Sequence, residues 1–136
     1  IKGGNGSNII VGGAGDDVLV GGSGRDIVIG GAGSDALVTG GGDDVLVAMS
    51  TQYDNNATAL ESIQAEWTRS DLNFTDRANH LLHGGGLNGS NILSSATLVN
   101  DNATDVLAGG GGDDLFIISG GDIADANKVD LTWVNM

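Results

Sequence analysis

The sequence predicts a mainly-β solenoid that is interrupted by a helical hairpin, and three observations lead to this fold class. A nine-residue unit occurs five times in a row from Gly3 to Val47, with no residue inserted or lost. A segment near residues 56–82 then places apolar residues at helical spacing, and glycine-rich units return towards the C-terminus. A short fixed period is typical of solenoids, because each unit is unstable alone and stacked units share one core.

Each nine-residue unit combines a glycine-rich turn with a short strand. The copies are GGNGSNIIV, GGAGDDVLV, GGSGRDIVI, GGAGSDALV and TGGGDDVLV, called repeats 1 to 5 below. Positions one to six predict the turn, because glycine adopts positive φ without steric penalty. Positions seven to nine are mostly β-branched, which favours a strand. Position six is Asn8 in repeat 1 and a carboxylate in the others: Asp17, Asp26, Asp35 and Asp44.

The middle of the chain predicts a helical hairpin. Apolar residues recur at helical spacing from Asn56 to Trp67, where Thr58 and Glu61 have the spacing of a capping box. A second helix is expected from about Asp71 to Leu82, followed by a glycine stop at Gly84. We expect this hairpin to fold back over one sheet of the solenoid.

Degenerate units follow the hairpin. GLNGSNILS (86–94) is similar to repeat 1, and NDNATDVLA (100–108) and GGGGDDLFI (109–117) place Asp105 and Asp114 at the carboxylate position. A last loop is expected near Asp122. Alternation of Val129, Leu131 and Trp133 with polar residues predicts a closing strand. The expected organisation is one compact domain with repeats at 1–47, a helical insertion at 48–85 and resumed repeats with a cap at 86–136.

Composition favours a hard cation as the ligand and argues against nucleic acid. The net charge is −13, and 16 of the 18 acidic residues are the shorter Asp, which suits tight loops and oxygen ligation. The five basic residues do not cluster, and no stretch is long and apolar enough to cross a bilayer. Cysteine is absent, so an exported form would depend on something other than disulfides, with metal as the natural candidate.

Residues 1–47 resemble the RTX (hemolysin-type) calcium-binding repeats, through the glycine-rich turn with its position-six carboxylate. The resemblance implies a right-handed parallel β-roll in which loops n and n+2 share one Ca²⁺. Positions two, four and six of the lower loop and positions one, three and six of the upper loop would supply the ligands. The C-terminal half, with YDNNATAL, AEWTRSD, GLNGS and GGGGDDLF, is similar to a C-terminal region of large bacterial secreted or surface proteins.

Carried onto this chain, the resemblance implies three ligand sets. The first is Gly13, Gly15 and Asp17 with Gly30, Ala32 and Asp35. The second is Gly22, Gly24 and Asp26 with Thr39, Gly41 and Asp44. The third, expected to be weaker because Asn8 carries no charge, is Gly4, Gly6 and Asn8 with Gly21, Ser23 and Asp26. Gly31 and Gly33 of repeat 4, and the carboxylates Asp105 and Asp114 of the later repeats, complete the candidate ligands.

The outward positions of the strands are unusually apolar. In a β-roll position eight points inward, whereas positions seven and nine point outward, and none of the ten outward residues of repeats 1 to 5 is polar. Strand propensity alone offers one explanation. Coverage of both outer faces is the interpretation we favour, because strands buried on both sides form continuous apolar runs. We expect the hairpin on one face and a neighbouring domain or second copy on the other.

No catalytic constellation emerges from the sequence. His80 and His83 are spaced i, i+3 but lack a third ligand, so a helix surface explains them better than zinc does. Glu61 and Glu66 are expected on solvent-facing helix positions. The favoured function is a calcium-binding structural module of an exported or cell-surface protein that folds on binding Ca²⁺. The rivals are a self-assembling filament or surface-layer subunit and the secretion or stability module of a hydrolase whose catalytic domain lies upstream.

Overall fold

The computed structural model describes residues 1–125, together with the backbone of residues 131–135. It contains two helices, α1 (Ala57–Trp67) and α2 (Phe74–His83). The strands are β1 (Lys2–Asn5), β2 (Ile9–Ala14), β3 (Val18–Ser23), β4 (Ile27–Ala32), β5 (Ala36–Gly41), β6 (Val45–Val47), β7 (Ser50–Thr51), β8 (Leu98–Val99), β9 (Val106–Gly111), β10 (Leu115–Ser119), β11 (Ile123–Ala124) and β12 (Leu131–Asn135).

Alternate strands build two five-stranded parallel sheets. One has the order β1-β3-β5-β9-β11 and the other has the order β12-β10-β6-β4-β2. Within repeats 1 to 5 each strand pairs with the strand 18 residues away, as in Leu19 with Leu37 and Val28 with Leu46. Two nonapeptides therefore make one layer, which is consistent with a β-roll, and this two-sheet part is called the roll below. Its handedness stays a prediction.

The core between the two sheets is made by position eight of the repeats. Leu19, Val28, Leu37 and Leu46 are fully buried in one cluster that also contains Phe116. The inward orientation predicted for position eight is confirmed. A three-residue strand supplies only one inward side chain per repeat, so stacking of repeats, rather than any single unit, makes the core.

The helical insertion leaves the stacking register of the roll intact. Strand β5 pairs with β9 through Leu37 and Leu107, a separation of 70 residues. That separation is the usual 18 plus 52, the length of the segment 48–99. Residues 100–108 and 109–117 consequently occupy the next two positions of the roll and are called repeats 6 and 7. The two ends of the insertion pair with each other as the antiparallel strands β7 and β8.

Residues 86–94 do not form a turn of the roll, although their sequence is similar to repeat 1. They form turns within the insertion, where Leu93 is buried and donates its N–H to the carbonyl of Leu81. The roll resumes with repeat 6 rather than at Gly86. Glycine is shared at positions one and four, but Leu87 stands at position two, where repeats 1 to 5 have glycine, and Leu93 packs with the helices instead.

The helices begin at different caps from those predicted. Helix α1 starts after Asn56, whose side chain accepts from the N–H of Ala59, so the capping box of Thr58 and Glu61 is wrong. Helix α2 starts after Asn73, three residues later than expected, and ends at Gly84 with φ of 86° as predicted. Asparagine competes well with threonine as an N-cap because its side-chain oxygen reaches the second or third free N–H.

The insertion covers the outer face of the sheet β12-β10-β6-β4-β2. Ile27, Ile29, Val45 and Val47 are at most 1% exposed and share one cluster with side chains of both helices, among them Leu60, Ile63, Trp67, Ala78 and Leu81. Strands of this sheet are therefore buried on both faces, which explains their continuous apolar runs.

The outer face of the sheet β1-β3-β5-β9-β11 has no such cover among the described residues. Val18 is 63% exposed, Val38 42%, Val106 50% and Ile123 60%. These four residues are called the open face below. At the C-terminal end, β12 runs parallel to β10 and forms the last strand of its sheet. The predicted closing strand is present over 131–135, while Val129 lies outside the described residues.

Candidate metal centre

The loops of the repeats stack along the two long edges of the roll. Repeats 1, 3, 5 and 7 form one edge, called the odd edge, and repeats 2, 4 and 6 form the other, called the even edge. The space between two successive loops of the same edge is called a gap. One type of hydrogen bond recurs in every gap: the position-six N–H of the lower loop donates to the position-six carboxylate Oδ1 of the upper loop. The N–H to Oδ1 pairs are Asn8–Asp26 (2.8 Å), Asp26–Asp44 (2.7 Å), Asp44–Asp114 (2.9 Å), Asp17–Asp35 (2.8 Å) and Asp35–Asp105 (2.7 Å).

The second oxygen of these carboxylates is buried without a hydrogen-bond partner. This holds for Oδ2 of Asp17, Asp26, Asp35 and Asp44. Asp26 and Asp44 are fully buried and Asp35 is 3% exposed. A buried carboxylate oxygen without a partner is strongly unfavourable, and proteins normally pair such a group or use it to bind a cation.

Main-chain carbonyls point into the same gaps. A Cβ at Gly31 would overlap the carbonyl oxygen of Gly13, and one at Gly33 would overlap that of Gly15, so these two carbonyls face the upper loop. A Cβ at Gly12 would meet both Asp17 Oδ2, at 2.8 Å, and the carbonyl oxygen of Gly30. Oxygens from both loops therefore converge in the gap, where only glycine leaves the space open.

The structure brings the first two predicted ligand sets together, with one qualification. The position-three carbonyls are already hydrogen-bonded across the gap: Ala32 accepts from the N–H of Gly15 at 2.8 Å, and Gly41 accepts from that of Gly24 at 2.9 Å. A carbonyl has two lone pairs, so one remains for a metal ion. No three carboxylate or histidine side chains meet at one point in the described residues, so a cation here would depend on carbonyls.

The third predicted ligand set differs from the first two, because a side-chain amide is hydrogen-bonded to its oxygens. The side-chain amide of Asn8 donates to the carbonyl of Gly6 at 2.8 Å and to Asp26 Oδ1 at 3.0 Å. Two of the predicted ligand oxygens are thus bonded to a protein donor. Sequence reasoning anticipated a lost charge at this position, and the structure adds a group that engages the remaining ligands.

Repeats 6 and 7 extend both edges. Asp105 stacks on Asp35 and Asp114 stacks on Asp44, as their repeat positions predict. Beside Gly30, the expected place of the position-one oxygen of repeat 6 is taken by the carbonyl of Ala48, 2.8 Å from a Cβ placed there. Ala48 is the first residue of the insertion, so the gap between repeats 4 and 6 combines the start of the insertion with repeat 6, which follows its end.

Burial and like charges raise the pKa of several of these carboxyl groups. Burial raises the pKa of Asp44 to about 6. Burial also raises the pKa of Asp105 to about 6, with further contributions from Asp122 and Asp35. The pKa of Asp35 is raised for the same reasons. Such shifts mean that the ionised forms are held in an unfavourable field, which a bound cation would relieve.

The donor set suits calcium. Ca²⁺ takes six to eight oxygen ligands in flexible geometry, and each gap offers carboxylate and carbonyl oxygens from two loops. A family model that spans four copies of the RTX calcium-binding nonapeptide repeat matches residues 2–37 and again residues 12–46. Residues 2–46 thus match the RTX calcium-binding nonapeptide repeat. RTX repeats form structural calcium-binding modules, and the proteins that carry them are typically secreted or surface-associated.

The RTX match stops before the insertion, and no curated protein or solved structure matches the chain. Stacking of repeats 6 and 7 on the RTX loops therefore comes from the fold, not from the comparison. No helix in the described part of the chain combines the length and apolar character needed to cross a membrane.

Sequence reasoning missed how the insertion is tied to the odd edge. Arg77, 2% exposed, donates to Asp43 Oδ2 at 2.7 Å and to the carbonyl of Trp67 at 2.9 Å, and lies 4.8 Å from the Trp67 ring. Asp43 precedes the candidate ligand Asp44, and its Oδ1 accepts from the N–H of Asp113 in repeat 7. A hydrophobic pattern cannot reveal such a buried ion pair, because arginine and aspartate both read as surface residues.

Glu66 was also misjudged as solvent-facing. It is fully buried, and its carboxylate contacts His80 Nδ1 at 2.5 Å, the N–H of Leu87 at 2.7 Å and the Arg69 guanidinium at 3.2 Å. Burial alone would raise the pKa of Glu66, but these hydrogen bonds outweigh it and lower the pKa. His80 therefore contacts Glu66 at the junction of the two helices and the following turn.

Proposed function

We propose that this chain is a calcium-dependent structural module of an exported or cell-surface protein and that Ca²⁺ binding drives its folding. The observation that carries the proposal is the row of buried, unpartnered carboxylate oxygens at Asp17, Asp26 and Asp35. Without a cation, these charges lie one above another with nothing to offset their repulsion. With a cation in a gap, the same oxygens become ligands that hold two loops together.

Calcium would act here as a folding ligand, with no chemistry of its own to perform. The backbone of the glycine-rich loops loses much conformational entropy on ordering, and the roll offers only one inward side chain per repeat to offset that loss. Binding free energy at several gaps adds to folding free energy, because the unfolded chain has no preformed site. Extracellular modules bind Ca²⁺ at about 10⁻⁴ to 10⁻³ M, so folding would follow export.

Circular dichroism with and without calcium tests this proposal. We expect a spectrum dominated by disordered chain in EGTA and a β-rich spectrum after excess CaCl₂, with Mg²⁺ as the control ion, since Mg²⁺ demands a tighter octahedral geometry. A β-rich spectrum that is the same in EGTA and in calcium would reject calcium-driven folding.

A second candidate function, self-association, is favoured by the open face. Four apolar side chains more than 40% exposed lie on neighbouring strands of one sheet: Val18, Val38, Val106 and Ile123. Contiguous exposed apolar surface is typical of interaction sites. Sedimentation velocity in calcium would show oligomers of the native chain and monomers of the variant Val18→Thr/Val38→Thr. A native chain that stays monomeric at about 100 µM would exclude this candidate, since stable dimers have dissociation constants well below that.

A further inference from the structure

We propose that protein donors take the place of calcium in two gaps of the odd edge, so that the two edges of the roll are unequal. This inference rests on the proposed function, since it assigns which gaps receive the ion. The gaps in question lie between repeats 1 and 3 and between repeats 5 and 7. Calcium then binds between repeats 2 and 4, between repeats 4 and 6, and between repeats 3 and 5.

In the gap between repeats 1 and 3, a side-chain amide donates hydrogen bonds to two of the candidate ligand oxygens. Nδ2 of Asn8 stands where the other repeats carry a carboxylate, and it donates to the carbonyl of Gly6 and to Asp26 Oδ1. Both acceptors belong to the predicted calcium set of this gap. An N–H donor that bonds two ligand oxygens offers what the ion would offer them, without a charge to be desolvated.

In the gap between repeats 5 and 7, the side chain of Thr39 lies beside the Asp44 carboxylate and fills the ligand space. Thr39, 3% exposed, occupies the position where repeats 1 to 4 have glycine, and its Oγ1 donates to the carbonyl of Gly109 at 2.7 Å. The Gly109 carbonyl is the position-one oxygen of the upper loop, which corresponds to that of Gly30 in the gap between repeats 2 and 4. A Cβ at position one lies close to the carboxylate of its own repeat, so the Thr39 side chain occupies the space in which the ligands of the other gaps converge.

Charge on the odd edge is also balanced by arginine. Asp43 pairs with Arg77 at 2.7 Å and lies 3.8 Å from Arg25. The ion pairs of Glu66, Arg69, Asp71 and His80 lie within the insertion and do not involve the even edge. On the even edge, Asp17 Oδ2 and Asp35 Oδ2 instead face carbonyl oxygens of Gly30 and Ala48, with no donor between them. Negative potential there is offset by no protein cation, which favours the divalent ion.

The count of bound calcium in the native chain and in two site-restoring variants tests the inference. Equilibrium dialysis with ⁴⁵Ca²⁺ at about 10 mM, well above the range for extracellular modules, gives the count, and circular dichroism reports folding. We expect about three ions for the native chain, one for each gap in which no side-chain amide or hydroxyl takes the place of the ion. Asn8→Asp and Thr39→Gly rebuild the repeat pattern, and each is expected to add about one ion.

Matched controls separate the gap from simple charge or stability effects. Ser7→Asp adds the same charge as Asn8→Asp at the neighbouring, exposed loop position, and Thr39→Val removes the hydroxyl but keeps the blocking side chain. Neither control is expected to add an ion. About five bound ions in the native chain would overturn the inference. So would the native number of bound ions in both Asn8→Asp and Thr39→Gly when both variants are folded. No bound calcium at all would instead reject the proposed function. Should either variant fail to fold, the native count decides alone.

Discussion

Close stacking of the repeat loops predicts very different effects for alanine at two glycines of the even edge. Gly13 and Gly31 occupy the same position of repeats 2 and 4, with φ of 106° and 110°. A Cβ at Gly13 meets no atom within 4 Å, because repeat 2 is the first even-edge loop, whereas a Cβ at Gly31 overlaps the carbonyl oxygen of Gly13. The backbone conformation is matched, so the pair isolates the contact between loops.

The expected loss of unfolding free energy has two components, one from the backbone conformation and one from the contact between loops. Alanine at a positive φ that favours glycine costs about 1–3 kcal/mol, and this part is shared by both variants. Gly31→Ala adds a clash with rigid backbone, for which overpacking penalties of about 1–3 kcal/mol are typical. The Gly13 carbonyl is also a proposed calcium ligand, so its displacement should weaken Ca²⁺ binding in addition.

Urea unfolding in saturating calcium, combined with calcium titration calorimetry, measures both effects. We expect Gly31→Ala to lose about 1–3 kcal/mol more unfolding free energy than Gly13→Ala, and to lose one bound ion that Gly13→Ala keeps. Equal destabilisation and equal ion counts in the two variants would refute the close stacking of loops 2 and 4 as the basis of the site.

Three further substitutions test the core and the insertion. Phe116→Ala removes a fully buried side chain from the core between the sheets and should lower the unfolding free energy by about 3–5 kcal/mol. Val106→Ala on the open face should change the unfolding free energy by less than about 1 kcal/mol. Similar losses in the two variants would contradict the assignment of inner and outer faces. Arg77→Met removes the closer of the two arginines beside Asp43 and should cost about 2–3 kcal/mol, less than for a wholly buried pair because Asp43 is partly exposed and keeps Arg25 nearby. No loss in thermal unfolding would show that the pair does not hold the insertion. Because the pKa of Glu66 is lowered in the folded protein, its ionised carboxylate stabilises the fold above the ordinary carboxyl pKa of 4.5, and this contribution is lost as the pH falls through the lower folded value. Glu66→Gln should therefore make the unfolding free energy in urea less dependent on pH in the acid range. An unchanged pH dependence would exclude this role.

The fold of the repeats could be predicted from sequence because one residue type dominates each position. Glycine at positions two and four requires a particular backbone, and the apolar residue at position eight requires an interior, so register, sheet pairing and the core followed directly. The stacking of Asp105 on Asp35 was predictable for the same reason, since the carboxylate position survives across the insertion.

The insertion could be predicted only in outline. Its helices follow from apolar spacing, yet their caps shifted because several Asn and Thr residues compete for the same role. Resumption of the roll at residue 100 could not be read from residues 86–94, whose glycines serve turns of the insertion. Buried polar groups such as Glu66 and Arg77 escaped prediction because their burial depends on partners distant in sequence.

We propose that calcium lies between stacked loops and is held by buried carboxylate oxygens. Crystals grown in calcium and measured at a long X-ray wavelength would locate each ion by its anomalous signal. The account predicts peaks beside Oδ2 of Asp17, Asp26 and Asp35, within about 2.3–2.6 Å of carbonyl and carboxylate oxygens from two loops. Ordered loops with no anomalous peak between them, in crystals that contain calcium, would contradict it.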